Sequence, residues 1–270
     1  MNDVLIKPII FIGVPRSGTT IIAESILAHN DLAWPSNYSD KFPKIVSLNL
    51  LRKFFHNKYF SLKGKKSQLH KTNFFNKYIF KADESYPMWN YLVGSSFSKS
   101  TIEREATAVE KKIIRNYFTQ LVKKQGKERL AFKITGPSRV IFLQSIFPDA
   151  CFIRVKREIN STVNSLMNVG FWKKDHSNEI WWEGLGDEKD NFEEFKHSKL
   201  ELTTYQVYKL NQLAESELKK SNANFIEVDY ENFINKSTIE IQRICEFCDL
   251  TYSEEIKQFI IDNPLVNRNK

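Results

Sequence analysis

Cysteine is scarce in this chain: Cys151, Cys245 and Cys248 are the only three in 270 residues. That count excludes a disulfide framework. Cys245 and Cys248 form C-x-x-C, but Ile241, Ile244 and Phe247 run a helical apolar pattern through it, so packing in the core is the expected use rather than metal or redox work. Long hydrophobic runs are missing too. The apolar stretches have strand length, and no transmembrane helix is expected. The opening MNDVLIKPII lacks a basic region followed by a long apolar core and a small-residue cleavage site, so no signal peptide is expected and the expected compartment is the cytoplasm. No zinc-finger spacing and no RNP-type aromatic motif appear, which leaves a nucleic-acid partner unsupported. No internal period of roughly 20–50 residues is visible, which excludes a solenoid.

What is present is the composition of a globular protein, 41% hydrophobic and 27% charged. The formal net charge is +8, from 40 basic and 32 acidic residues. Such a balance favours an anionic ligand or surface. The 21 Phe, 10 Tyr and 5 Trp are mixed with isoleucine in core-like patterns. The length fits one α/β domain over residues 1–270, with insertions at about 40–80 and 170–195, the second expected to be an irregular, mobile segment.

The chain is organised around Pro8 to Leu27. Ile9-Ile10-Phe11-Ile12 is a β-branched, apolar run of the length of a buried strand. Gly13-Val14-Pro15-Arg16-Ser17-Gly18-Thr19-Thr20 follows, then a periodic apolar segment through Ile21, Ile22 and Ile26. Strand, glycine turn and helix make an anion cradle, because backbone N–H groups and the positive helix terminus converge on one point. Gly13-x4-Gly18 matches the P-loop spacing, but Thr19 stands where that pattern requires lysine. The loop carries its cation at Arg16 instead, which argues against an Mg-ATP kinase or hydrolase.

Downstream the chain alternates. Leu32-Ala33-Trp34-Pro35 reads as a short strand edge, and residues 41–80 are rich in Phe, Lys and Asn. Asp83-Glu84 precedes Tyr86-Pro87, which suits a loop entering a helix. Ser100-Thr101-Ile102-Glu103 has the form of a capping box, and Ile102, Ala106, Val109, Ile113, Tyr117 and Leu121 then mark one helix face ending near Gly126. Arg129–Ile134 is a strand, Pro137 is placed for the first turn of a helix, and Ala150–Val155 is a further strand. A helix follows through Leu202–Leu213, then the strand Asn224–Val228 and a helix over Ile239–Leu250. The expected fold is a three-layer α/β sandwich, with a central parallel sheet flanked by helices and carrying helical insertions.

Pro15-Arg16-Ser17-Gly18-Thr19-Thr20 after a buried strand resembles the 5′-phosphosulfate loop of sulfotransferases that use 3′-phosphoadenosine 5′-phosphosulfate (PAPS). A second stretch, Phe152 to Ser165, resembles the 3′-phosphate motif of that family: Arg157 at a strand end and Ser165 eight positions later in a helix. Glu158-Ile159 departs from the acidic or amide residue and proline usual there. The resemblance implies a P-loop-like fold and a bacterial-type member. It implies that Arg16, Ser17, Gly18, Thr19 and Thr20 hold the 5′-phosphate and sulfonate, and that Arg157 and Ser165 hold the 3′-phosphate. Glu84, or Asp83 beside it, would be the general base, by likeness to an E-x-x-x-x-W stretch. Trp181-Trp182 resembles a tryptophan pair that either lines the acceptor pocket or packs a lid. Tyr230, in a Y-E-D-L-like segment, would pack near the cofactor. Arg268 or Lys270 would be a second basic contact to the 3′-phosphate, or part of a solvated tail.

The implied reaction moves a sulfuryl group from PAPS to a hydroxyl or amine of an acceptor, a carbohydrate or small molecule, leaving PAP. No metal is called for. The alternatives are a non-catalytic protein that binds PAP or an anionic glycan, and a P-loop nucleotide kinase.

Overall fold

The computed structural model describes residues 5–56, 78–95, 97–186 and 188–263. Five strands form one sheet: β1 (Ile9–Gly13), β2 (Leu32–Ala33), β3 (Arg129–Thr135), β4 (Cys151–Lys156) and β5 (Asn224–Asp229). Their spatial order is β2-β3-β1-β4-β5 and every pairing is parallel. The chain leaves β1 for the far edge, returns to β3 beside β1, and then crosses to β4 on the other side. β1 is therefore the topological switch point, where a crevice opens outside the carboxyl ends of the strands.

The pleat of β1 sorts its side chains between two cores. Ile10 and Ile12 join one cluster, and Ile9 and Phe11 the other. The first helix, Thr19–Leu27, lays Ile22, Ala23 and Ile26 on the Ile9–Phe11 face. The opposite face is covered by Ala108–Gln125, through Ile114, Phe118 and Leu121, and by Val140–Ile146, through Phe142 and Leu143. A third cluster joins the helices Ile159–Met167 and Lys199–Lys220 to Trp172 and Trp182. Each fully buried large side chain contributes roughly 1.5–3 kcal/mol, against about 0–1 kcal/mol for an exposed ion pair. The sheet faces, not surface pairs such as Lys257–Glu254, therefore dominate stability.

Three local expectations are corrected. Residues 100–103 do not cap a helix. The helix starts at Ala108, where Thr107 Oγ1 accepts from Glu110 N and the Glu110 carboxylate accepts from Thr107 N, a capping box seven residues further on. Ser100 and Thr101 are held instead by Glu183 and Gly184: Thr101 N donates to Glu183 O and Thr101 Oγ1 to Gly184 O, both at 3.0–3.1 Å. Pro137 lies outside the following helix, which begins at Val140 behind Arg139; the carboxylate of Glu217 accepts from Val140 N and Ile141 N and fixes that start. Residues 170–195 are not irregular throughout, since Trp172–His176 is a π-helical turn and Glu188–Phe195 is helical. Among the described residues no helix is long and apolar enough to cross a membrane.

Candidate active site

The glycine loop folds as a tight cradle at the end of β1. Ser17 N donates to Val14 O at 3.1 Å and closes the turn. Arg16 (φ 73°) and Gly18 (φ 89°) are both left-handed, with Ser17 between them at ordinary hand. This alternation turns successive N–H groups toward one concave side, and the helix Thr19–Leu27 begins directly behind it. Two glycines are required by contact. A Cβ on Gly13 would stand 2.8 Å from Thr19 Oγ1 and 2.9 Å from Val155 O; one on Gly18 would stand 2.0 Å from Tyr230 Cδ2.

Arg157 follows directly on β4, and its Nη1 donates to the carbonyl of Arg16 at 2.8 Å. Its guanidinium lies 4.8 Å from the centroid of the Tyr230 ring, and its Nε is 3.8 Å from the Glu231 carboxylate. Stacking and pairing fix the fork of donors beside the cradle. Glu158, the departure from the family motif, is the N-cap of the helix Ile159–Met167. Its carboxylate accepts from Ser161 N and Asn160 N, and these bonds hold it below the usual carboxylate range. Two turns along that helix, Ser165 Oγ accepts from Arg16 Nε at 3.1 Å. Arg16, Arg157 and Ser165, up to 149 positions apart in sequence, thus meet at one place. The Ser17 hydroxyl is buried and shares a 2.7 Å hydrogen bond with Thr19 Oγ1.

Arg16, Gly18, Thr19, Thr20, Arg157 and Ser165 line one end of a cavity of about 940 Å³. Asp83, Glu84, Thr135, Trp181 and Trp182 line the same cavity. Glu84 Oε2 accepts from Thr135 Oγ1 at 2.8 Å and from Thr135 N at 3.3 Å, at the carboxyl end of β3. Glu84 Oε1 lies 2.8 Å from Lys133 Nζ. Asp83 Oδ1 accepts from Ser85 N at 3.4 Å. Tyr86 OH also meets Thr135, and burial together with the Glu84 charge pushes its phenol well above the usual tyrosine range. Of the tryptophan pair, Trp182 stacks on Trp172 with centroids 4.8 Å apart, so the pair both lines the cavity and packs on the core.

Lys133 is the residue that motif reading missed. It is buried on β3, on the face turned to the first helix, and its Nζ donates to Thr20 Oγ1 at 2.8 Å while pairing with Glu84. A charge therefore joins the loop to the carboxylate. The signal was a lysine inside the apolar strand Arg129-Leu-Ala-Phe-Lys-Ile-Thr, since a lysine is almost never fully buried without a partner. Arg268 and Lys270 lie outside the described residues, as does most of the lysine-rich part of the 41–80 segment.

A parallel sheet with a phosphate-type loop at its switch point, two guanidinium groups beside that loop and a carboxylate joined to it through Lys133 make a site suited to an anionic ligand. The chain belongs to the sulfotransferase family, whose model matches residues 8–254. Among solved structures it is similar to sulfotransferase STF9 from Mycobacterium avium, at TM-score 0.59 and 14% identity over 97% of this chain and 70% of that one. It is also similar to STF1 from Mycobacterium tuberculosis, at TM-score 0.56 and 16% identity over 95% and 71%. The sulfotransferase domain from the curacin biosynthetic pathway gives TM-score 0.54 and 15% identity over 94% and 78%. At these identities the likeness is one of fold. No curated protein sequence matches significantly.

Proposed function

We propose that this chain transfers a sulfuryl group from PAPS to a hydroxyl or amine of a carbohydrate or small-molecule acceptor, with Glu84 as general base. The observation that carries this reading is the convergence of Arg16, Arg157 and Ser165 on one end of a cavity that Glu84 also lines. The donor set suits PAPS: a concave run of N–H groups at a helix start accommodates a 5′-phosphate, and a stacked guanidinium fork with a hydroxyl beside it accommodates a phosphate dianion. PAPS supplies the activated sulfuryl group.

The residues of the chain do the rest by position and charge. Gly18, Thr19 and Thr20 hold the 5′-phosphate at the helix terminus, while Ser17 shapes the turn. Arg157 and Ser165 select for a 3′-phosphate. Arg16 and Lys133 neutralise charge that grows on the leaving side, as in loose phosphoryl transfer, where positioning and electrostatics supply most of the rate. Glu84, oriented by Thr135, takes the acceptor proton; such a base contributes about 10²–10⁴-fold.

Calorimetric titration with PAP, AMP and Mg-ATP tests the donor assignment. Metal-independent binding of PAP, tighter than that of AMP, is expected. A preference for Mg-ATP, or no PAP binding, would overturn it.

A further inference from the structure

One wall of the cavity contains a donor with no assigned work. Trp182 is 4% exposed. Its ring rests on Trp172, and its Nε1 lies 3.3 Å from where a Cβ on Gly136 would stand. Among the described residues nothing accepts from this N–H, although Trp182 lines the cavity. The other buried indoles differ. Trp172 Nε1 donates to Thr203 Oγ1 at 3.0 Å and Trp34 Nε1 to Leu27 O at 3.3 Å. Trp89 Nε1 also has no partner among the described residues, but it is buried in the core and does not line this cavity. A buried indole N–H ordinarily has a hydrogen-bond partner. The N–H of Trp182 opens onto a space that can supply one.

Its place gives it meaning. Gly136 follows Thr135, the residue that orients Glu84 through Oγ1 and N–H. The carboxylate is thus held by Thr135, and the indole Nε1 lies beside the next residue, Gly136, the two Cα atoms being about 3.8 Å apart. The wall is also fixed. Trp181 is sandwiched between His176, with centroids 3.4 Å apart, and Lys99, 4.0 Å from its ring. The bonds from Thr101 to Glu183 and Gly184 stitch the two segments together. A preorganised donor beside the base discriminates better than a mobile one.

Resting on the sulfotransferase reading above, we propose that Trp182 Nε1 is a specificity-determining donor that binds an oxygen neighbouring the reacting hydroxyl. The acceptor then carries vicinal oxygens, and Glu84 draws the proton from one while Trp182 holds the other. A monohydroxylated analogue would leave the indole N–H without a partner inside the closed complex, at the cost of one hydrogen bond.

The test uses trans-cyclohexane-1,2-diol and cyclohexanol as paired probes, with PAPS and the full chain, measuring kcat/KM by PAP release. The wild type is expected to favour the diol about tenfold. In Trp182→Phe, which keeps a ring against Trp172 and loses the N–H, the ratio is expected to fall to about one, with PAP affinity within about twofold of wild type. Equal rates for the two probes in the wild type, no turnover of either by a chain that binds PAP, or an unchanged ratio in Trp182→Phe would each overturn the proposal. The wild-type ratio does not depend on the variant folding. Failure of the wild type to bind PAP would bring down the donor reading itself, and this inference with it.

Discussion

The two ends of the cavity are built by different means. The phosphate-loop end is mostly backbone and local sequence: one turn between β1 and the first helix, and one junction between β4 and the next helix. The Glu84 end, which Lys133 and the Gly136 N–H bond to Gly13 O join to the loop, is assembled from side chains on four separated segments, at Asp83–Tyr86, Ser98, Thr135–Gly136 and Asn168–Trp182. A site made of contiguous backbone is constrained by the turn itself, because Gly18 cannot gain a side chain without meeting Tyr230. A site made of side chains from distant loops can change one wall at a time.

The sharpest way to separate the ends is Glu84→Gln. It keeps the bonds from Thr135 and removes the proposed base and the charge facing Lys133. Turnover measured as acceptor-dependent PAP release is expected to fall about 10²–10⁴-fold, with PAP affinity little changed. A variant that retained full activity would assign the base elsewhere, with Asp83 next in line.

Arg157→Ala works on the other end. It removes the fork that lies on Tyr230 and bonds to the carbonyl of Arg16. PAP affinity in calorimetry should fall about 30–10³-fold, the range for truncating one charged partner of a desolvated contact, while AMP, which lacks the 3′-phosphate, should lose much less.

Gly18→Ala tests the claim that backbone defines the donor end. Left-handed backbone costs a residue with a Cβ roughly 1–2 kcal/mol, and the 2.0 Å approach to Tyr230 adds to it. Thermal unfolding should show lowered stability together with weakened PAP binding. A variant with native stability and affinity would remove the close approach of Tyr230 from the account.

The smallest effect belongs to neither end. Thr107→Ala removes the cap of the helix Ala108–Gln125 and should cost about 1 kcal/mol, with PAP binding unchanged. The hydrogen bonds from Arg104 and Thr107 hold the Glu110 carboxyl down to about 2. A depressed carboxyl stabilises the fold above its unfolded value of about 4 and loses that contribution as the pH falls toward 2. The Glu110→Gln variant should therefore differ from wild type in denaturant midpoint near pH 7 and converge with it in acid. A gap that persisted at low pH would contradict this assignment.

The same contrast explains what could be read from the sequence. β1, the loop and Arg157–Ser165 were legible because backbone demands leave traces at fixed spacing: a β-branched run, two glycines, and an arginine at a strand end. The alternation of strands and helices gave the parallel sandwich for the same reason. The capping box was misplaced because Ser100–Glu103 and Thr107–Glu110 carry the same signature. Only contact with Glu183 and Gly184, far along the chain, draws residues 100 and 101 out of a helix. Lys133 was illegible as a site residue because its contacts lie 113 and 49 positions away, on Thr20 and Glu84.

The central claim is that donor binding and proton removal reside in separable ends of one cavity. PAP titration of wild type, Arg157→Ala and Glu84→Gln under one buffer tests it most directly. The account predicts tight binding by wild type and Glu84→Gln and a large loss in Arg157→Ala alone. Equal loss in both variants, or none in Arg157→Ala, would contradict it.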